Sequence, residues 1–186
     1  MPPASSLKAE AESIIDELAL LDLLTPYGDA RVVGSVALDL IVKLDIDIHV
    51  LTGTDDLLGV AQDACRHLLE EARIREVRMS DYRERHGIKL GIDSYPGPSG
   101  NWSIDIWITD RVETNGFATV ENLQRQLTDE HRQAIIQIKR EFHAQGELRD
   151  GLSSLIYEAV LDNGVRGVEE FRRFVLEKET AASESE

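Results

Sequence analysis

The chain has 186 residues, 42% of them hydrophobic and 30% charged, with a formal net charge of −15. That length suits one buried core with a helical appendage, and the acidity opposes nonspecific binding to nucleic acid, whose phosphates need a basic surface. No apolar run is long enough to span a membrane, no apolar leader follows a charged start, and a single cysteine, Cys65, excludes an intrachain disulfide and a multi-cysteine zinc site, so a cytoplasmic location is the expectation.

Residues 7–24 carry Leu7, Ile14, Ile15, Leu18 and Leu21 at helical intervals after Ser5-Ser6, which predicts one capped amphipathic helix. It ends at the turn cluster Thr25-Pro26-Tyr27-Gly28-Asp29. A short strand over 30–33 delivers Gly34-Ser35, a helix runs from 35 to about 43, and a strand over 44–52 alternates Asp45, Asp47 and His49 with Ile46, Ile48 and Val50. Alternate side chains of a strand share a face, so the two aspartates project together, about 7 Å apart, while the isoleucines enter the core. Two such carboxylates with no basic residue between them repel unless something positive sits there, and a divalent cation is the natural candidate. Gly34 lets the backbone turn tightly, and a helix opening at Ser35 offers N–H groups to a phosphate. The stretch reads as a site for a metal-bound polyphosphate.

A longer helix is predicted over 55–73, opened by Asp55-Asp56 and burying Leu57, Leu58, Ala61, Cys65, Leu68, Leu69 and Ala72, with Cys65 an inert thiol. Strands near 74–82, 87–95 and 103–109 follow as an antiparallel meander. The last places Asp105 between Ile104 and Ile106, and Asp93 is its rival for a third carboxylate position. Trp107 shares the face of Asp105, where it either stacks on a base or acceptor ring or completes the core edge. The basic residues Arg73, Arg75, Arg78, Arg83, Arg85 and Lys89 form a solvated strand face, or one or two of them reach a triphosphate. The loop Ser94–Trp102 is a surface connection or a lip over the site, and His49 is a metal ligand or a partner of a neighbouring carboxylate.

From Thr128 the pattern is helical, with one helix to about 144, a second ending at Asn163-Gly164 and a third carrying Val168, Phe171, Phe174 and Val175. The expected division is an α/β core over 1–125, a helical subdomain over 126–176 and a disordered acidic tail over 177–186.

Val33, Gly34 and Ser35, nine intervening residues, then Asp45-Ile46-Asp47-Ile48 and the later Asp105 together resemble the signature of the nucleotidyltransferase superfamily, the polymerase-beta-like fold. The resemblance implies an α+β chain with a mixed, largely antiparallel sheet flanked by helices. It also implies transfer of a nucleoside monophosphate from an NTP to a hydroxyl acceptor, with release of pyrophosphate. Asp45, Asp47 and Asp105 would be the catalytic carboxylates and would hold Mg²⁺, two ions in the family pattern, and Gly34 and Ser35 would bind the nucleotide. This sequence departs from the pattern at Val36-Ala37-Leu38, where an arginine or lysine is common, and at Leu44, where a serine is common. The acidity favours a small cationic acceptor such as an aminoglycoside over nucleic acid. The rival readings are an inactive nucleotide-binding or interaction protein of the same fold, and a metal-dependent glycosyltransferase using Asp-x-Asp. The lack of a repeated βαβ pattern counts against the last.

Overall fold

The computed structural model describes residues 4–183 and divides the chain into two compact units, Met1–Leu123 and Gln124–Glu186. The first unit is built on a five-stranded sheet. Its strands are β1 (Asp29–Val33), β2 (Asp45–Leu51), β3 (Arg78–Tyr82), β4 (Gly87–Gly97) and β5 (Gly100–Thr109), in the order β1-β2-β5-β4-β3. All neighbours are antiparallel except β2 and β5, which run parallel, so the fold is α+β with a mixed, largely antiparallel sheet.

The parallel pair follows from the sequence between its strands. The helix α4 (Leu57–Glu70), then β3 and β4, intervene between β2 and β5, so the chain returns to pair with β2 in the same direction. Ile46, Ile48 and Val50 on β2, Ile104, Ile106 and Ile108 on β5, and Ile88, Leu90 and Ile92 on β4 all point to one face. There they pack with α1 (Ala4–Glu17), α2 (Leu20–Leu24) and α4 in one apolar cluster. The other face carries the chemistry.

Several local expectations change. The predicted helix over 7–24 is two helices, because Ala19 takes a left-handed φ of 47° between them. The helix expected to reach about 43 is a single turn, α3 (Gly34–Ala37). Asp39, at φ 56°, ends it: the Asp39 N–H donates to the Val36 carbonyl and the Leu40 N–H to the Ser35 carbonyl, a Schellman closure made without glycine. Leu38, Leu40, Ile41 and Val42 beyond it are all buried, so this apolar run fills the core as irregular chain. The strand expected over 74–82 begins only at Arg78. The segment 94–102 is a tight β4–β5 hairpin with a bulge between Ile92 and Tyr95, not a lip. Glu10 of α1 accepts hydrogen bonds from the Ser99 N–H and the Trp102 indole and tethers that hairpin.

After β5, Asn115 caps α5 (Phe117–Gln126), accepting from the Phe117 N–H, and this helix was not anticipated. The second unit holds α6 (Asp129–Ala144), α7 (Leu152–Leu161) and α8 (Val168–Ser183). Thr128 caps α6, and its capping box is closed by His131 instead of an acid. Phe142 of α6 meets Phe171 of α8 edge-on at 5.3 Å. Residues 177–183 are helical rather than a disordered tail, since α8 continues through them; residues 184–186 lie outside the described residues.

Candidate active site

The open face of the sheet is a grid read from its register. Asp47 pairs with Asp105 across the parallel β2–β5 ladder, so the two carboxylates leave adjacent strands about 5 Å apart in the same direction. Asp45 precedes Asp47 by two residues and shares its face, as the alternating burial along β2 requires. Asp105 rather than Asp93 stands beside Asp47. Asp93 lies at the hairpin bulge, exposed, and pairs with Arg78 at 3.0 Å.

Gly34 completes this corner. It has φ +63°, and a Cβ placed on it would lie 2.5 Å from Oδ2 of Asp47. Both facts demand glycine: the backbone is left-handed there, and the turn after β1 runs directly against the carboxylate. Gly34-Ser35 and Asp47 are thus one local structure although separated in sequence. A helix dipole adds little at Ser35, because α3 is only one turn long.

Charge at the site is unevenly compensated. Lys43 pairs with Asp45 at 3.6 Å and Lys89 with Asp105 at 2.6 Å. Asp47 lies between them, and its carboxyl is pushed up to about 7, first by burial and then by the negative charges of Asp45 and Asp105. In the sequence Lys89 is only one member of a basic stretch; the β4–β5 register sets it beside Trp107, two positions along the ladder from Asp105. Among the described residues, no three His, Cys, Asp or Glu side chains are drawn together as a metal-holding group. The donor chemistry nonetheless fits a hard divalent cation. Three carboxylates face one way from adjacent strands, and burial together with its two acidic neighbours raises the central one to about 7, an arrangement that a bound cation would relieve.

His49 is held by the backbone rather than by a carboxylate. Its Nδ1 accepts the Gly116 N–H at 2.9 Å, and burial pushes its imidazole down to about 4, so it is a neutral anchor for the chain leading into α5. Cys65 is half-buried, and burial pushes its thiol up, as expected of an unreactive cysteine. The second unit also holds Lys139, which no pattern in the sequence marks. That lysine is 3% exposed on α6, its ammonium 3.4 Å from the Tyr157 hydroxyl and over the Tyr157 ring.

No family model matches the sequence, and no curated protein does. Solved structures do. The Cid1 poly(U) polymerase aligns at 17% identity with a TM-score of 0.60, over 83% of this chain and 47% of that one. A cytoplasmic RNA terminal U-transferase aligns at 16% identity with a TM-score of 0.59, over 83% of this chain and 46% of that one. A further Cid1 structure, with Mg and 3′-dATP bound, aligns at 16% identity with a TM-score of 0.56, over 73% and 41%.

The chain has the nucleotidyltransferase fold. It spans less than half the length of each of these proteins. With the nucleotidyltransferase fold in hand, the preference for a small-molecule acceptor over nucleic acid does not stand, because the proteins sharing the fold are by name a poly(U) polymerase and an RNA terminal U-transferase. The physical error was to use a whole-chain charge for a local surface. Lys89 meets Asp105, and Arg78 on β3 lies opposite Gly91, the β4 partner of Asp105, whatever the sum over the chain. No helix among the described residues is long and apolar enough to cross a membrane.

Proposed function

We propose that the chain transfers a nucleoside monophosphate from an NTP to a hydroxyl of an RNA acceptor. The acceptor oxygen forms a new ester bond to the α-phosphorus, the bond to the bridging oxygen breaks, and its electron pair leaves with pyrophosphate. The observation that carries the reading is the Asp47–Asp105 register, with Asp45 on the same face and Gly34 against the Asp47 carboxylate.

Asp45 and Asp47 would hold Mg²⁺ through hard carboxylate oxygens, with Asp105 joining where a second ion binds. Bound there, Mg²⁺ would neutralise phosphate charge and lower the pKa of the acceptor hydroxyl. Asp105 accepts the proton of that hydroxyl as general base. Gly34 and Ser35 present backbone N–H groups and the serine hydroxyl to the β and γ phosphates, which puts the leaving group at the β1 side of the site. RNA as acceptor is supported by the named activities of the proteins that share the fold.

A second reading, nucleotide binding without transfer, is favoured by one observation: Lys89 already engages Asp105. One experiment separates them. Each of the four NTPs is titrated calorimetrically with Mg²⁺ into the wild type and Asp45→Ala/Asp47→Ala, and pyrophosphate release is followed with an RNA oligonucleotide present. Metal-dependent heat lost in the double variant, with pyrophosphate released by the wild type only, is the expected result. Heat without pyrophosphate selects the second reading. Equal heats from both proteins, or none from either, would overturn both.

A further inference from the structure

The part of the open face beyond the carboxylates is aromatic. Trp107 follows Asp105 by two residues on β5 and shares its face, about 7 Å further along the strand. Its Cα partners are His49 on β2 and Lys89 on β4. The ring packs on Gly87, where an added Cβ would lie 3.5 Å from it, and it stays partly exposed. Tyr82, from the edge strand β3, brings its ring centroid to 5.2 Å from that of Trp107 at an interplanar angle of 35°. Lys89 Nζ lies 5.9 Å from the indole centroid while also holding Asp105. His49 closes the opposite side at 6.5 Å.

A half-exposed indole beside a phenol and a cation departs from what a sheet surface needs for stability. Trp107 and Tyr82 are both half-buried, so part of each ring remains available to a planar ligand. We propose that Trp107 and Tyr82 form the platform on which the terminal base of the single-stranded acceptor stacks, with Lys89 as its cationic flank. The proposal rests on the nucleotidyl-transfer reading above and adds where the acceptor lies.

Position within the sheet selects the acceptor's base over that of the incoming NTP. Gly34-Ser35 lie at the end of β1, one edge of the sheet, whereas the platform extends from β5 across β4 to β3, the other edge. With the triphosphate at the β1 side, a base on Trp107 and Tyr82 lies further along β5 and toward β3, away from β1, and brings an acceptor hydroxyl to Asp105 from that side. Base-on-aromatic stacking tolerates any base, so this surface holds a strand without reading its sequence.

The chain has two tryptophans, and Trp102 is 0% exposed, which makes Trp107 a selective optical probe. Intrinsic fluorescence is titrated with a single-stranded RNA 12-mer, and separately with each NTP and Mg²⁺, in the wild type, Trp107→Phe and Trp107→Ala. Affinity is measured in parallel by anisotropy of a labelled copy of the oligonucleotide. The expected result is quenching by RNA in the wild type and none in Trp107→Phe, which keeps stacking and therefore most of the affinity. Trp107→Ala should bind RNA about tenfold more weakly or worse, with NTP binding unchanged. RNA binding without quenching, or undiminished in Trp107→Ala, would overturn the platform, and quenching by NTPs alone would overturn its assignment to the acceptor. Loss of metal-dependent NTP binding in the Asp45/Asp47 double variant tests the underlying reading independently of all these outcomes.

Discussion

At the scale of single residues, the two half-buried titrating groups of β2 pull stability in opposite directions with pH. Asp47 is raised to about 7 in the folded state from an ordinary value near 3.8, so its contribution is complete below pH 4 and is lost as pH rises through 7. His49 is lowered to about 4 from 6.5, so its contribution is complete above pH 6.5 and is lost as pH falls through 4. Between those limits they offset one another. Asp47→Asn should therefore stabilise the metal-free protein at pH 8, by on the order of 2–4 kcal/mol, with the difference vanishing near pH 4. Urea titrations at the two pH values measure it. Gly34→Ala meets both a left-handed backbone and the Asp47 carboxylate, so it should destabilise by about 1–3 kcal/mol and weaken metal-dependent NTP binding as well. The same urea titration and calorimetry check both effects.

Elements carry a different kind of constraint, namely which neighbours they bring together. The β4–β5 ladder sets Lys89 two register positions from Asp105 on the same face, and their 2.6 Å ion pair occupies a carboxylate that a second metal ion would need. Replacing Lys89 by glutamine should tighten Mn²⁺ binding about tenfold, read by electron paramagnetic resonance of free Mn²⁺, and the gain should vanish when Asp105→Asn is added. Unaltered Mn²⁺ affinity would show that the lysine does not compete. Between α1 and α2, Ala19 sits at φ 47°, a strained conformation for a residue with a Cβ. Ala19→Gly should raise the melting temperature by a few degrees, about 0.5–1 kcal/mol, because relief of that strain outweighs the greater chain entropy of glycine.

On the scale of the whole molecule, a net charge of −15 is self-repulsive. Adding salt should raise the melting temperature by about 2–4 °C, corresponding to on the order of 1 kcal/mol. The same salt should weaken RNA binding, since whatever cations meet the phosphates are screened too. Thermal melts and oligonucleotide anisotropy across one salt series would show the two trends diverging.

Much of this molecule was legible in the chain itself, and the reasons are local. Alternation of aspartate and isoleucine fixed the faces of β2, because side chains on a strand have a period of two whatever surrounds them. Gly34 before Ser35 marked a backbone that only glycine adopts freely, and the helical periods of α4, α6 and α7 followed from their apolar stripes. What remained closed to the sequence was everything set by pairing between distant strands. Only the register of β2 with β5 puts Asp105 beside Asp47, only that of β5 with β4 puts Lys89 on Asp105 and beside Trp107, and only the fold turns His49 toward Gly116. Asp47 and Asp105 are 58 residues apart and His49 and Gly116 are 67, and even the β4–β5 hairpin can close in more than one alignment; a one-residue slip of either ladder would send its side chains to the other face. The sequence determined which residues could do the chemistry, since periodicity is a property of the local chain; the tertiary structure decided which of them meet.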